Sequence, residues 1–129
     1  QFLAAHPFVS RVGHPLLESH PSHALANRLL RHGARGAGAV FSFDIKGNRT
    51  QGKTFIETLK LFSHLANVGD CRSLVIHPAS TTHFRMTDEA LAGAGIGQGT
   101  IRLSIGLEDP DDLIDDLKRA LKAAEKAGA

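Results

Sequence analysis

Two hexapeptides, VFSFDI (40–45) and TIRLSI (100–105), alternate apolar and polar side chains. A period of two assigns each to a strand with one packed face and one free face. Phe41, Phe43 and Ile45 point one way, Ser42 and Asp44 the other. In the second strand Ile101, Leu103 and Ile105 form the core side, while Thr100, Arg102 and Ser104 form the polar side. A strand covered on both faces would read instead as a continuous apolar run. The chain is therefore constrained to a sheet that packs helices on one side and leaves the other side available for chemistry.

The remaining elements follow from local signals. Asp109 caps a helix that starts with Pro110, Asp111 and Asp112 and carries the stripe Leu113, Leu117, Leu121 and Ala124. Lys118, Arg119, Lys122 and Lys126 suit the negative end of its dipole. Thr54 and Glu57 form a capping-box pattern ahead of Phe55, Ile56, Leu59 and Phe62. Ser22 is predicted to cap a helix to about His32, with Leu25 and Leu29 as its stripe and Gly33 as its stop. Thr87, Asp88 and Glu89 open a short helix, and residues 73–77 form a short strand. Three His-Pro pairs make the first 24 residues extended structure and turns. The order helix, strand, helix, strand, short helix, strand, helix predicts a two-layer α/β or α+β domain.

Composition removes several classes of function. A length of 129 residues suffices for one domain. Fifteen basic and thirteen acidic residues nearly balance, and the basic ones are scattered, which argues against nucleic-acid binding. No apolar run approaches the ~20 residues of a membrane span, so no membrane partner is expected. One cysteine, Cys71, excludes an internal disulfide and fits a reducing compartment. The chain starts with Gln1 and has a single Met, Met86, as expected of a processed chain or a piece of a longer one.

Several motifs compete for the chemistry. GNRTQGKT (47–54) satisfies the spacing of a phosphate-binding loop and lies between a strand and a helix. Against it, the preceding strand is half polar, and no apolar strand ending in Asp follows to hold magnesium. Gly93, Gly95, Gly97 and Gly99 follow a helix and precede a strand, the wrong order for a dinucleotide fingerprint. His20 with His23, and His77 with His83, are spaced as candidate metal ligands, but no closed set of Cys and His accompanies them. Ser80, His83 and Asp88 could be imagined as a triad, without a nucleophile-elbow sequence to support it. Arg102 differs from all of these. A guanidinium in mid-strand on a polar face is fixed in place and presents planar donors matched to a carboxylate. A surface or salt-bridged arginine is the alternative. The polar cluster at 80–83 follows a neighbouring strand, and a fixed arginine beside such a Ser/Thr loop suits a small carboxylate substrate.

The stretches LANVGDCRSLVIHPASTTH (65–83) and GIGQGTIRLSIGLEDPDDLIDDLKRAL (95–121) resemble the C-terminal domain of the Cys/Met-metabolism pyridoxal-phosphate (PLP) enzymes. LESHPSHALANRLL, GAVFSFDIKG and FIETLKLFSHLA continue the likeness in order, so it covers nearly the whole chain. Within the family the sequence is most similar to the O-acetylhomoserine sulfhydrylases. The resemblance implies the small, mostly antiparallel sheet with helices on one face that forms the C-terminal domain of a fold-type-I PLP transferase. Residues 1–129 would be that single substrate-binding domain. PLP would be held by a large domain outside it, in a cytoplasmic homotetramer.

The implied reaction replaces the acetate of O-acetyl-L-homoserine by sulfide or a thiol. Cystathionine γ-synthase and methionine γ-lyase activities are related alternatives, and a nucleotide-binding module at 47–54 is an alternative of a different class. By motif position Arg102 matches the family's carboxylate-binding arginine, Asn67 a position that often touches the same carboxylate, and Thr82 a position near it. None of the six lysines lies in the Ser/Thr-rich context of the family's catalytic lysine, and HPLL (14–17) stands where the family often has Tyr-Pro-Gly-Leu. The 129 residues alone are expected to fold without catalysing.

Overall fold

A computed structural model of the chain describes residues 1–128. The elements in order are α1 (Phe2–Ala5), β1 (Val9–Gly13), α2 (His23–Leu29), β2 (Arg31–Ala34), β3 (Val40–Ile45) and α3 (Arg49–Thr58). Then come β4 (Ser63–His64), β5 (Leu74–Ile76), a 3-10 turn (Pro78–Ser80), α4 (Asp88–Gly93), β6 (Thr100–Ser104) and α5 (Pro110–Ala127). The two alternating segments are neighbours, β3 antiparallel to β6 with Ser42 opposite Arg102 and Phe43 opposite Ile101. The sheet order is β1-β3-β6-β5-β4, antiparallel except between β4 and β5.

Alternation decides the layers as expected. Phe43, Ile45, Ile101 and Leu103 join Phe55 and Ile56 of α3 and Leu113, Leu117, Leu121 and Ala124 of α5 in one buried cluster. Ser42, Asp44, Thr100 and Arg102 alternate onto the opposite face. The final helix is built as the sequence indicates. Asp109 Oδ1 accepts from the amides of Asp111 and Asp112, at 2.8 and 3.3 Å.

Three helices depart from expectation, the first being α1, which forms at Phe2–Ala5 where only extended structure and turns were expected. α3 is capped by Asn48 and not by Thr54. Asn48 Oδ1 accepts from the Gln51 amide at 3.0 Å, and Gln51 Oε1 accepts from the Asn48 amide at 3.1 Å. Asn caps as well as Thr, so the box forms six residues earlier. Leu59 and Phe62 are buried, as expected, but beyond the helix end. α2 ends at Leu29, short of His32, and its stripe faces outward: Leu25 is 47% and Leu29 68% exposed, while Ala26 is buried. Polar bonds decide this orientation. His23 Nδ1 bonds the Pro15 carbonyl at 2.7 Å, and Asn27 Oδ1 accepts from the Ala34 amide at 2.8 Å.

Two polar staples hold the frame. The Glu108 carboxylate accepts from the Ser73 amide and hydroxyl, both at 2.7 Å, and Ser73 Oγ accepts from the Gly106 amide at 2.8 Å. Burial pushes the Glu108 carboxyl up, but the Ser73 bonds outweigh it and hold it below its ordinary value. Position 106 must be glycine, since a Cβ there would lie 2.5 Å from Arg72 C and 2.7 Å from Glu108 Oε2. The second staple is Asp116 of α5, 3% exposed, which accepts from the Lys60 amide at 3.1 Å and the Leu61 amide at 2.8 Å and pairs with Arg119. Asp116→Ala would leave those amides unmatched, so it is expected to cost about 2–4 kcal/mol of stability in urea unfolding. A loss below about 0.5 kcal/mol would show that the staple is dispensable.

Candidate functional site

Arg102 stands at the middle of β6, with hydrogen-bonded neighbours on both sides: Ser42 of β3 and Ile76 of β5. The sheet fixes its backbone, and alternation turns its half-buried side chain to the polar face. A cavity of about 390 Å³ opens there, lined by Arg11, Ser42, Thr100 and Arg102 from the sheet and by Pro78 and Ile96 from the connections around α4. Two larger hollows exist, about 480 Å³ beside β1 and about 470 Å³ between α1 and α5. Charge, not size, selects among them.

Arg11 is neutralised by Asp44, Nε to Oδ2 at 2.7 Å, and Asp44 also accepts from Thr100 Oγ1 at 2.6 Å. Arg102 has no such partner. Among the described residues no carboxylate lies within ion-pair distance of it, and its one bond is from Nη2 to the Asn67 carbonyl at 3.4 Å. A half-buried guanidinium without an acid is an anion site in waiting, because a carboxylate would accept from two of its donors at once.

Of the three residues marked by sequence, the structure brings two together. Asn67 meets Arg102 through its backbone, while its side chain accepts from the Val68 amide at 2.8 Å. Thr82 is exposed, its Oγ1 2.8 Å from His83 Nδ1, and it does not line the cavity. The imagined triad is not assembled. Ser80 Oγ bonds His77 Nδ1 at 2.8 Å, and Asp88 pairs with Arg49. The phosphate-loop reading fails as well. Residues 49–54 are helical, so they form no cradle, and Lys53 is exposed and paired with Glu57. No cluster of three or more His, Cys, Asp or Glu that could hold a metal occurs among the described residues.

Sequence reasoning missed His77 as a structural centre. Its ring is fully buried, and Nε2 bonds the Gln98 carbonyl at 2.6 Å. It packs on Gly52 of α3, where a Cβ would lie 2.6 Å from His77 Cε1 and 2.8 Å from Cδ2. Gly52 is thus the second glycine of GNRTQGKT for a packing reason. A signal was available in the histidine at the end of an apolar strand, a position where a buried polar ring must find partners.

Comparisons with known proteins identify the family. The profile of the Cys/Met metabolism PLP-dependent enzymes matches residues 1–122. The chain belongs to that family. It is 47% identical over 124 residues to homocysteine synthase of Schizosaccharomyces pombe, covering 96% of this chain and 28% of the relative. It is 45% identical to O-acetyl-L-homoserine sulfhydrylase of Leptospira meyeri, covering 95% and 27%. Among solved structures, a putative O-acetylhomoserine (thiol)-lyase of Campylobacter jejuni, carrying N′-pyridoxyl-lysine-5′-monophosphate, superposes with TM-score 0.82 at 43% identity, covering 94% and 28%. Cystathionine gamma synthase of Xanthomonas oryzae pv. oryzae, in complex with cystathionine, gives 0.81 at 43%, covering 96% and 31%. The chain thus spans less than a third of each of these proteins.

All six lysines are solvent-exposed on helices or loops, so none has the desolvated surroundings that activate an amine for Schiff-base formation. These residues do not fit a covalent PLP anchor. What they fit is a carboxylate at Arg102.

Burial lowers the His77 pKa from its ordinary 6.5; the Gln98 bond opposes this, and the charges of Arg49 and His64 add to it. The unfolded chain therefore binds a proton near pH 6.5 that the folded chain refuses. Stability is expected to hold above that value and to fall as pH drops below it. Urea unfolding between about pH 7.5 and 5.5 measures this, and His77→Gln should flatten the profile. An unchanged slope in that variant would assign the effect to another group.

Proposed function

We propose that these residues form the substrate-carboxylate site of a PLP-dependent enzyme that converts O-acetyl-L-homoserine and sulfide, or a thiol, to homocysteine or methionine and acetate. The observation that carries the reading is the unneutralised Arg102 guanidinium in a concave site on the central strand. Likeness to a homocysteine synthase and an O-acetyl-L-homoserine sulfhydrylase supports the choice of substrate. In this reading the 129 residues are the C-terminal domain of a longer polypeptide, which binds PLP elsewhere and works as a cytoplasmic homotetramer. PLP, when bound, supplies the electron sink.

This chain binds and orients. Arg102 holds the α-carboxylate by two parallel bonds, and the Asn67 loop borders the same charge. Thr82 stands outside the cavity and takes no direct part in holding the carboxylate in this reading. The acidic Asp44 is kept from the substrate by its bond to Arg11 and Thr100. Likeness to a cystathionine gamma synthase favours a second reading, in which cysteine is the acceptor.

In the full-length protein Arg102→Ala is expected to raise the KM for O-acetyl-L-homoserine about a hundredfold, since losing one partner of a buried charge pair costs about 2–5 kcal/mol. The same protein should show a visible PLP absorption band that shifts on adding that substrate. A colourless product that PLP cannot reconstitute would remove the reading. Faster turnover with cysteine than with sulfide would establish the second one. The 129 residues alone, supplied with PLP, should show no turnover.

A further inference from the structure

Arg49 opens α3, at one of the unspecified positions of GNRTQGKT. Its guanidinium reaches into the segment between β5 and β6. Nη1 donates to the Ala79 carbonyl at 2.5 Å, and Nη2 pairs with Asp88 Oδ1 at 2.9 Å. The carbonyls of Phe84 and Met86 each lie 3.5 Å from the same group. Asp88 Oδ2 accepts in turn from Gln98 Nε2 at 2.8 Å. The Gln98 carbonyl takes the His77 Nε2 bond, and the His77 ring rests on Gly52, one turn along α3 from Arg49.

These contacts close a circuit. It leaves α3 at Arg49, passes through the start of α4 and the loop before β6, and returns to α3 at Gly52. Residues 77–98 are enclosed by it. The parts of that segment that wall the Arg102 cavity are Pro78, Gly95 and Ile96. Gln98 runs directly into β6, four positions ahead of Arg102.

We propose that Arg49 is a positioning residue for the Arg102 site: by tying residues 78–88 to the start of α3 it sets where Pro78 and Ile96 stand beside the guanidinium that receives the substrate carboxylate. The proposal rests on the reading of Arg102 given above. Both terminal nitrogens of Arg49 are engaged by loop carbonyls and Asp88, so its role here is to position and not to bind. Lysine would not replace it fully. One ammonium cannot reproduce a planar fork that serves a carbonyl with one nitrogen and a carboxylate with the other.

The test compares Arg49→Ala, Arg49→Lys, Gln98→Ala and Arg102→Ala in the full-length protein, by steady-state kinetics with O-acetyl-L-homoserine and sulfide and by amide hydrogen exchange. Arg49→Ala is expected to raise the KM for the amino acid roughly tenfold while kcat changes less than about twofold. Exchange in residues 78–88 should accelerate, and Arg49→Lys should restore part of the KM. Gln98→Ala cuts the link to Asp88 from the loop side, should act in the same direction more weakly, and serves if Arg49→Ala does not fold. Unchanged KM in Arg49→Ala and Gln98→Ala, with a raised KM in Arg102→Ala, overturns the proposal and leaves Arg102 in place. Unchanged KM in all three overturns both readings. A fall in kcat alone in Arg49→Ala also overturns the proposal.

Discussion

The structure turns on a histidine ring that no water reaches. His77 sits at the end of β5 with one nitrogen on the Ser80 hydroxyl and the other on the Gln98 carbonyl. A buried polar ring with an unmatched nitrogen would be costly, so both partners are obligatory. Space is equally constrained, since α3 approaches so closely that only glycine fits at position 52. One side chain therefore fixes three things: the distance of α3 from the sheet, the path of the turn after β5, and the start of β6. The Arg102 cavity draws Pro78 from the second of these and Thr100 and Arg102 from the third.

How much of this was legible depends on whether the deciding contact was local. The strands 40–45 and 100–105 could be read because alternation is written in neighbouring residues. α5 could be read because Asp109 and Pro110 announce it. The start of α3 could not. Asn48 with Gln51 and Thr54 with Glu57 are both acceptable boxes, and distant partners chose between them. Gln51 Nε2 must reach the Ala124 carbonyl, 3.1 Å away, and Gly52 must meet His77. Leu25 and Leu29 have helical spacing, yet their helix is oriented by His23 and Asn27, so the stripe faces outward. Arg102 was visible because strand periodicity alone puts it on the free face. Arg49 was invisible, since its partners include backbone carbonyls 30 or more residues away.

The charges divide into two kinds. Arg11, Arg49 and Arg119 each have a carboxylate, and those pairs shape the scaffold. Arg102 has none, and its half-burial makes the imbalance count, because solvent screens it only in part. A sheet strand suits such a group. A guanidinium carried on a loop could swing to the nearest acid and cancel itself, but one held between two hydrogen-bonded neighbours stays where it is.

That placement separates two tasks that other sites combine. The anchor lies on the central strand, where a slip of one residue would turn Arg102 into the core. Part of the wall lies on connections, at Pro78, Gly95 and Ile96, and connections tolerate change far better than strands do. Under the proposed function, substitutions in those connections could alter what is admitted beside Arg102 without moving the guanidinium. The domain is built as a constant handle with exchangeable jaws, so new specificities could arise on it without a new fold.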